Sequence, residues 1–144
     1  MRKSGILLHP SSLPHSGPTG DIGLSSYRFL DWLETAGSNL WQVLPLHPPG
    51  GGFSPYSSPS AFAGATYLIS LELLLQDGLL QDVEIQYQPW RERVDETLIN
   101  EWKMPLLEKA AQRLLESNDD ALLKWRKKTH WIEDWVLYSV LQKE

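Results

Sequence analysis

Four histidines are the side chains of this sequence best suited to acid–base or metal chemistry. His9, His15, His47 and His130 show no spacing typical of a metal site. His9 and His47 each follow a short apolar run that predicts a buried strand. Because the carboxyl ends of parallel strands hold the active site in α/β folds, these two are candidate site residues. A hydrogen-bonded structural role is the alternative for both.

Acidic pairs and glycines offer little further chemistry. Asp119 with Asp120 and Glu133 with Asp134 lie in predicted helices far from the strand ends, where solvated or capping roles are expected. The three glycines at 50–52 are not followed by Lys-Ser or Lys-Thr, so they do not predict a phosphate loop. The sequence therefore presents no convincing pair of general acid and nucleophile, and no cofactor or metal is expected.

The segment GGFSPYSSPSAFAG, residues 51–64, has a composition that suits neither a solvent loop nor a core strand. It is rich in Gly, Pro, Ser and aromatic residues and carries no charge. It follows a predicted strand, on the side where such folds keep their sites. The Tyr56 ring has an apolar face and a polar tip, which suits the C–H face of a sugar. The alternative is that Phe53, Tyr56 and Phe62 only pin the loop to the body of the protein.

The hydrophobic pattern predicts a βαβ unit that would position these residues. Apolar runs at 4–8 and 39–44 predict two strands. Between them, residues 27–36 have an amphipathic helical pattern, with Ser25 and Ser26 as N-cap candidates. A strand, a one-sided helix and a second strand predict a parallel pair with a right-handed crossover.

The rest of the chain is predicted to be a long ordered loop followed mainly by helices. The loop covers residues 45–66, and a short strand-like run follows at 67–71. The predicted helices cover 71–76, 94–116 with a kink at Pro105, a segment capped by Asn118, and 130–142. Two parallel strands cannot form an α/β domain, so we expect the front of a larger α/β protein.

Composition limits the classes of function. Of the 144 residues, 42% are apolar, enough for a core, and the net charge of −5 with scattered Lys and Arg argues against nucleic acid and anionic membranes as partners. The absence of cysteine excludes disulfides and thiolate metal sites. No apolar run is long enough for a signal peptide or a membrane span, so a soluble cytoplasmic protein is expected.

Five stretches carry a family resemblance. They are GILLHPSSLP, GDIG followed two residues later by SYRFLDWLETAG, LWQVLPLHP, SPYSSPSAFAG and YLISLELLLQDGLL. In order and spacing, from Gly5 to about Leu80, they resemble the amino-terminal region of the 4-α-glucanotransferases, also called amylomaltase or disproportionating enzyme, of glycoside hydrolase family 77. Further on, WIEDWVLYSVLQKE resembles the helix that precedes the family's next barrel segment.

The resemblance implies an α/β fold of the (β/α)8 TIM-barrel type, of which this chain would hold the first two βα segments and a helical insertion. Residues 1–66 would begin the barrel, with the substrate loop at 45–66, and residues 67–144 would form a mainly helical subdomain. The implied chemistry is retaining transglycosylation with an Asp nucleophile, a Glu acid/base and a second Asp. In the family all three carboxylates lie on later strands, beyond residue 144.

The resemblance also implies a substrate-binding role for the SPY motif. Its Tyr stacks beneath the sugar next to the scissile bond and its Ser lies along the donor subsites; here these are Tyr56 and Ser54. Together with His9 and His47 they are the predicted substrate-binding residues, and no catalytic residue is expected in this chain. The expected partners are α-1,4-glucan donors and acceptors, with no nucleic acid and no membrane, and the oligomeric state is open. Two alternatives are an amylase-like α-glucan hydrolase and a non-catalytic α-glucan-binding or interaction fragment.

Overall fold

A computed structural model describes residues 2–15, 17–89, 91–117 and 120–142 of the chain. It is an α/β structure in which one pair of strands precedes a series of helices. The strands and α-helices, in chain order, are β1 Gly5–Leu7, α1 Leu24–Thr35, β2 Leu40–Gln42, α2 Leu71–Gln76, α3 Glu96–Leu98, α4 Met104–Glu116, α5 Asp120–Lys128 and α6 Ile132–Leu141. A π-helical turn and four short 3-10 turns complete the order: Pro10–Ser12, Gly51–Phe53, Thr66–Leu68, Asp82–Glu84 and the π turn Ile99–Lys103.

The predicted βαβ unit is confirmed. Strands β1 and β2 pair in parallel, with Gly5 opposite Leu40. A Cβ atom on Gly5 would lie 2.6 Å from both the Cβ and the carbonyl oxygen of Leu40, so the pairing needs glycine at this position. The indole Nε1–H of Trp41 donates to the Leu8 carbonyl over 2.7 Å and ties the two strands together where they end.

The predicted caps of α1 were wrong. Gly23 is the N-cap residue, and a Cβ atom there would lie 2.3 Å from the Ser70 hydroxyl, so close packing selects glycine over a capping side chain. Ser26 lies buried inside the helix, where its hydroxyl donates to the Asp21 carbonyl over 2.7 Å. Of the predicted apolar face, Leu33 is buried while Tyr27 and other members stay about half exposed.

The strand predicted at 67–71 was also wrong. Thr66–Leu68 forms a 3-10 turn, and Tyr67 and Leu68 are buried in it. The run is apolar because its side chains are buried in a turn. Periodicity alone cannot distinguish such a short apolar turn from a strand, which explains the error. Helix α2 then begins at Leu71, with the Ser70 hydroxyl accepting from the Leu73 amide over 3.4 Å, and its bounds match the predicted helix 71–76.

Helix type changes just before Pro105, where the sequence predicts a kink; the kink itself stays a prediction. Helix α3 begins at Glu96, two residues after the predicted start, and Asp95 caps it by accepting from the Leu98 amide over 2.9 Å. The π turn Ile99–Lys103 follows, and Pro105 stands in the first turn of α4, where its missing N–H costs no helical hydrogen bond. The predicted Asn118 cap lies outside the described residues.

Two buried clusters form the core: one packs helices together, and the other packs the loop that follows β2 onto them. In one, Leu71, Leu80 and Leu107 pack α2 against α4. In the other, Tyr67, Leu68 and Ile99 pack beneath the loop that follows β2, and Phe53 and Leu46 of that loop pack onto them. Within the described residues, no helix is both long enough and apolar enough to cross a bilayer.

Candidate functional site

The loop at 45–66 is closed at its neck by two hydrogen bonds. The Ala65 amide donates to the Leu46 carbonyl over 2.8 Å. The Nδ1 atom of His47 lies 3.2 Å from the Ala63 carbonyl and donates to it. The loop is therefore a compact excursion with joined ends, which is the form that functional surface loops often take. The structure places His47 at this neck, and its predicted contact with substrate stays a prediction.

Close backbone approach shapes the tip of the loop. A Cβ atom on Gly50 would lie 1.8 Å from the Ser57 carbonyl oxygen, so the two arms can meet only with glycine there. Gly52 has φ +69° and Phe53 has φ +56°, both in the left-handed region. For Phe53 this conformation is strained, and strain of this kind persists where the surroundings enforce it. The Phe53 ring packs against the Tyr67 ring, with centroids 4.9 Å apart, and this contact holds the residue in place.

The serines of the loop mostly satisfy its own backbone. Ser60 Oγ accepts from the amides of Phe62 and Ala63, and Ser58 hydroxyl donates to the Ser60 carbonyl. Ser54 Oγ accepts from the Tyr56 amide over 3.3 Å, which leaves its hydroxyl proton available to another acceptor. The loop is thus braced by local hydrogen bonds, and Ser54 retains a donor.

Tyr56 stands at the exposed side of this braced loop. Its residue surface is 74% exposed, whereas Phe53 and Pro55, which precede it in the loop, are partly buried. Since exposing an aromatic ring on a rigid loop forfeits the gain of burying it, such a ring is typical of a ligand-contact surface.

A cavity of about 430 Å³ lies beside the loop, at the carboxyl ends of both strands. His9 lines it after β1 and Leu44 lines it after β2. The loop contributes Phe53 and Pro55, and Glu96 contributes a carboxylate from the first turn of α3. The predicted site residue His9 and the predicted loop therefore meet in one place. Ser54 and Tyr56 flank Pro55 in the loop without lining the cavity.

His9 is held in one tautomer. Its Nδ1 accepts from the Ser11 amide over 3.3 Å and lies 2.8 Å from the Ser11 hydroxyl, so the proton of the neutral ring is on Nε2. Burial lowers the pKa of His9, and the carbonyl of Pro45 partly offsets this effect. Nε2 is buried without a hydrogen-bond partner among the described residues.

Sequence reasoning missed Glu96 and Tyr67 at this cavity. Tyr67 directly follows the loop and packs with Phe53 in a buried cluster, and Glu96 comes from a helix start about 50 residues after β2, so neither was placed at the cavity by a local pattern. In the sequence, the pair Asp95-Glu96 indicates only the start of a helix. The structure shows that it does start α3, so this pattern gave no sign of a cavity residue. Among the described residues, no group of three or more His, Cys, Asp or Glu side chains is placed to hold a metal ion.

The far end of the loop meets the turn between α5 and α6. The Phe62 ring stacks on Trp131, with centroids 6.1 Å apart, and meets His130 edge to face at 5.9 Å. Phe62 is nonetheless largely exposed. The expected anchoring of the loop by aromatic rings thus has two forms: Phe53 packs into a buried cluster and Phe62 stacks at the surface.

Fold and site together define an α/β protein with a cavity and an aromatic loop at the carboxyl edge of a parallel strand pair. A sequence model of the family described as 4-alpha-glucanotransferase matches residues 8–144. The chain belongs to this family, and the resemblance carried by the five motifs is confirmed.

Relatives and a solved structure agree with this assignment. The chain is 45% identical to a 4-alpha-glucanotransferase, chloroplastic/amyloplastic, of Solanum tuberosum, covering 97% of this chain and 26% of the relative. It is 43% identical to the 4-alpha-glucanotransferase of Aquifex aeolicus, covering 100% of this chain and 30% of the relative. The structure matches an amylomaltase from Streptococcus agalactiae in complex with acarbose, with a TM-score of 0.80 and 34% identity, over 94% of this chain and 28% of that one. The chain thus spans between a quarter and a third of the length of these relatives.

Proposed function

We propose that this chain supplies the donor-side sugar platform of a 4-α-glucanotransferase. The observation that carries the proposal is the exposed Tyr56 ring on a hydrogen-bonded, uncharged loop at the carboxyl edge of the β1–β2 pair. Family membership supports it, and so does the likeness to an amylomaltase whose structure holds acarbose. An uncharged aromatic surface sheds its water more readily than a charged one when a sugar arrives.

The proposal includes the architecture of the whole enzyme. Strands β1 and β2 would be the first two strands of a (β/α)8 barrel, and residues 1–66 would begin that barrel. The largely helical residues 67–144 would be an insertion after the second strand. The half-exposed apolar side chains of α1 and α6 support this architecture, because a barrel would cover them with further helices and strands.

The residues of this chain would bind and orient the glucan, and the bond-breaking groups would come from later strands. Tyr56 would stack on the sugar next to the scissile bond, and the free hydroxyl proton of Ser54 would reach a glucan oxygen. His9 would offer its Nε2–H at the cavity, and His47 would act by holding the loop neck. The reaction would be a retaining double displacement in which the 4-hydroxyl of a second glucan replaces water.

The proposed partners are α-1,4-glucan donors and acceptors. A cytoplasmic location stays a prediction, since the Solanum tuberosum relative carries a name that places it in plastids.

The test is disproportionation of maltotriose by the enzyme that carries this sequence. The proposal expects glucose together with oligosaccharides longer than the substrate, and no net gain of reducing ends. A gain of reducing ends without longer products would identify a hydrolase instead. Glucan binding without any turnover would identify a binding protein.

A further inference from the structure

A second, smaller cavity lies apart from the loop, between the segment that leads into α1 and the π turn. Its volume is about 30 Å³. His15, Thr19 and Asp21 line it from the segment before α1, and Trp102 and Lys103 line it from the π turn. Glu72 of α2 and Tyr87 also face it. The cavity therefore sits where three parts of the fold meet.

Two of the side chains that line this cavity each carry a polar atom that is buried without a hydrogen-bond partner among the described residues: Trp102 Nε1 and His15 Nε2. The indole nitrogen can only donate. The other ring nitrogen of His15, Nδ1, lies 2.6 Å from the Leu13 carbonyl and must donate to it, so Nε2 of the neutral ring can only accept. A donor and an acceptor thus stand unpaired at one cavity, and burying such groups unpaired costs roughly 1–3 kcal/mol each.

We propose that this cavity is a site for tightly bound water. A single water molecule accepts from Trp102 Nε1–H and donates to His15 Nε2, which neither a simple anion nor a metal cation does. The lining charges lead to the same ligand, because the carboxylates of Asp21 and Glu72 repel anions and the ammonium of Lys103 repels cations. A water molecule needs roughly 10–15 Å³ of internal space, so the cavity has room for at least one.

The bound water would also supply hydrogen-bond acceptors to Lys103, which has few partners where the π turn meets the segment before α1. Among the described residues, the Lys103 ammonium has a single ion-pair contact, to Asp21 at 3.4 Å, although its side chain is only 2% exposed. Nearby, the Asp95 amide donates to the Pro18 carbonyl, and Gly17 lies so close to the Trp102 ring that a Cβ atom would be 2.9 Å from it. Water in the cavity would give the Lys103 ammonium the acceptors that an ammonium group needs.

The experiment is water–protein NMR on the enzyme that carries this sequence, with ¹⁵N-labelled tryptophan. The signal of the Trp102 indole is identified by its loss in Trp102→Phe. We expect a cross-peak between this indole proton and water whose nuclear and rotating-frame Overhauser effects have opposite signs, as a long-lived water requires. Trp41 is the matched internal control, because its indole N–H donates to the Leu8 carbonyl and should show no such cross-peak. Absence of the cross-peak at Trp102, or rapid exchange of its indole proton with solvent, would overturn the proposal.

A crystal structure gives an independent readout that does not need the variant to fold. We expect electron density for water within hydrogen-bond distance of both Trp102 Nε1 and His15 Nε2. A dry cavity, or a cavity closed by direct contact of the two side chains, contradicts the proposal. Density for a bound anion or metal would also contradict it. None of these outcomes depends on the glucanotransferase activity, so the two proposals can fail separately.

Discussion

At the scale of single residues, Tyr56 is both a largely exposed aromatic side chain and the proposed stacking surface for the sugar. Replacing Tyr56 with Ala in the enzyme that carries this sequence removes the ring on which the sugar would stack. We expect kcat/KM for maltotriose to fall at least about tenfold, equivalent to about 1.4 kcal/mol of transition-state stabilisation. The melting temperature should hardly change, because Tyr56 is 74% exposed and buries little surface.

The Tyr56→Phe variant is the matched control for this substitution. It keeps the ring face and loses only the hydroxyl, so it should retain most of the activity. A large fall in melting temperature of the Ala variant with unchanged activity per folded molecule would make Tyr56 a structural residue and contradict the platform.

Glu84 gives a residue-scale prediction about acid stability. Its carboxylate accepts from the guanidinium of Arg113 over 2.6 and 2.7 Å and from Lys109 over 2.7 Å, and these hydrogen bonds hold the pKa of Glu84 well below its usual range. A depressed pKa stabilises the folded state above the ordinary pKa of the unfolded chain, and this contribution disappears as the pH falls through the folded pKa. The free energy of unfolding should therefore fall more steeply between about pH 5 and about pH 2 for the wild type than for Glu84→Gln.

Glu133→Gln is the comparison for that measurement. Glu133 also has a lowered pKa, through its hydrogen bond to Arg126, but both side chains are more than half exposed. Exposed pairs contribute little to stability, so denaturant unfolding of Glu133→Gln should follow the wild-type pH dependence closely. Parallel pH curves for wild type and Glu84→Gln would show that the Glu84 contacts do not form in solution.

At the scale of secondary-structure elements, the pair Lys103–Asp21 joins the π turn to the segment before α1. Burial lowers the pKa of Lys103 and raises that of Asp21, and each partner partly offsets the effect on the other. Lys103→Met leaves the Asp21 carboxylate, whose side chain is 20% exposed, without its partner. We expect a loss of roughly 1–3 kcal/mol in the free energy of unfolding near neutral pH, measured by denaturant titration, which is less than for a fully buried pair because Asp21 stays partly solvated.

The double variant Lys103→Met, Asp21→Asn tests the cause of that loss. Removing both charges should recover much of the stability, because the cost comes from one unpaired buried charge rather than from a missing attraction. A double variant no more stable than Lys103→Met would mean that packing around the lysine stem, and not charge, joins the two elements.

Elements were predictable from the sequence where a local pattern decided them. The alternation of apolar strand, amphipathic helix and apolar strand placed β1, α1 and β2, and Gly78 marked the end of α2. The errors came where long-range packing decided. Gly23 replaced Ser25 and Ser26 as the cap because Ser70, far along the chain, packs against it. No local pattern reports such a contact.

The same division applies to the candidate site. His9 could be placed at the cavity from the strand that precedes it, because strand direction fixes where a strand-end residue lies. Glu96, the hydrogen bond of His47 to Ala63, and the ion pair of Lys103 with Asp21 could not be predicted. They join segments separated by up to 82 residues in sequence.

At the scale of the whole molecule, the cavity beside the proposed glucan platform lacks the pair of carboxylates that retention requires among its described lining residues. Glu96 is the single carboxylate among the residues that line the larger cavity, and a retaining mechanism needs an acid/base and a nucleophile about 5–5.5 Å apart. We therefore expect the purified 144-residue chain to show no turnover of maltotriose, measured as glucose release and as longer oligosaccharides on chromatography. It should still bind maltooligosaccharides weakly through the platform, and Tyr56→Ala should abolish that binding. Turnover above a protein-free control would mean that two carboxylates of this chain do the chemistry, and it would refute the assignment of Tyr56 and its loop to binding alone.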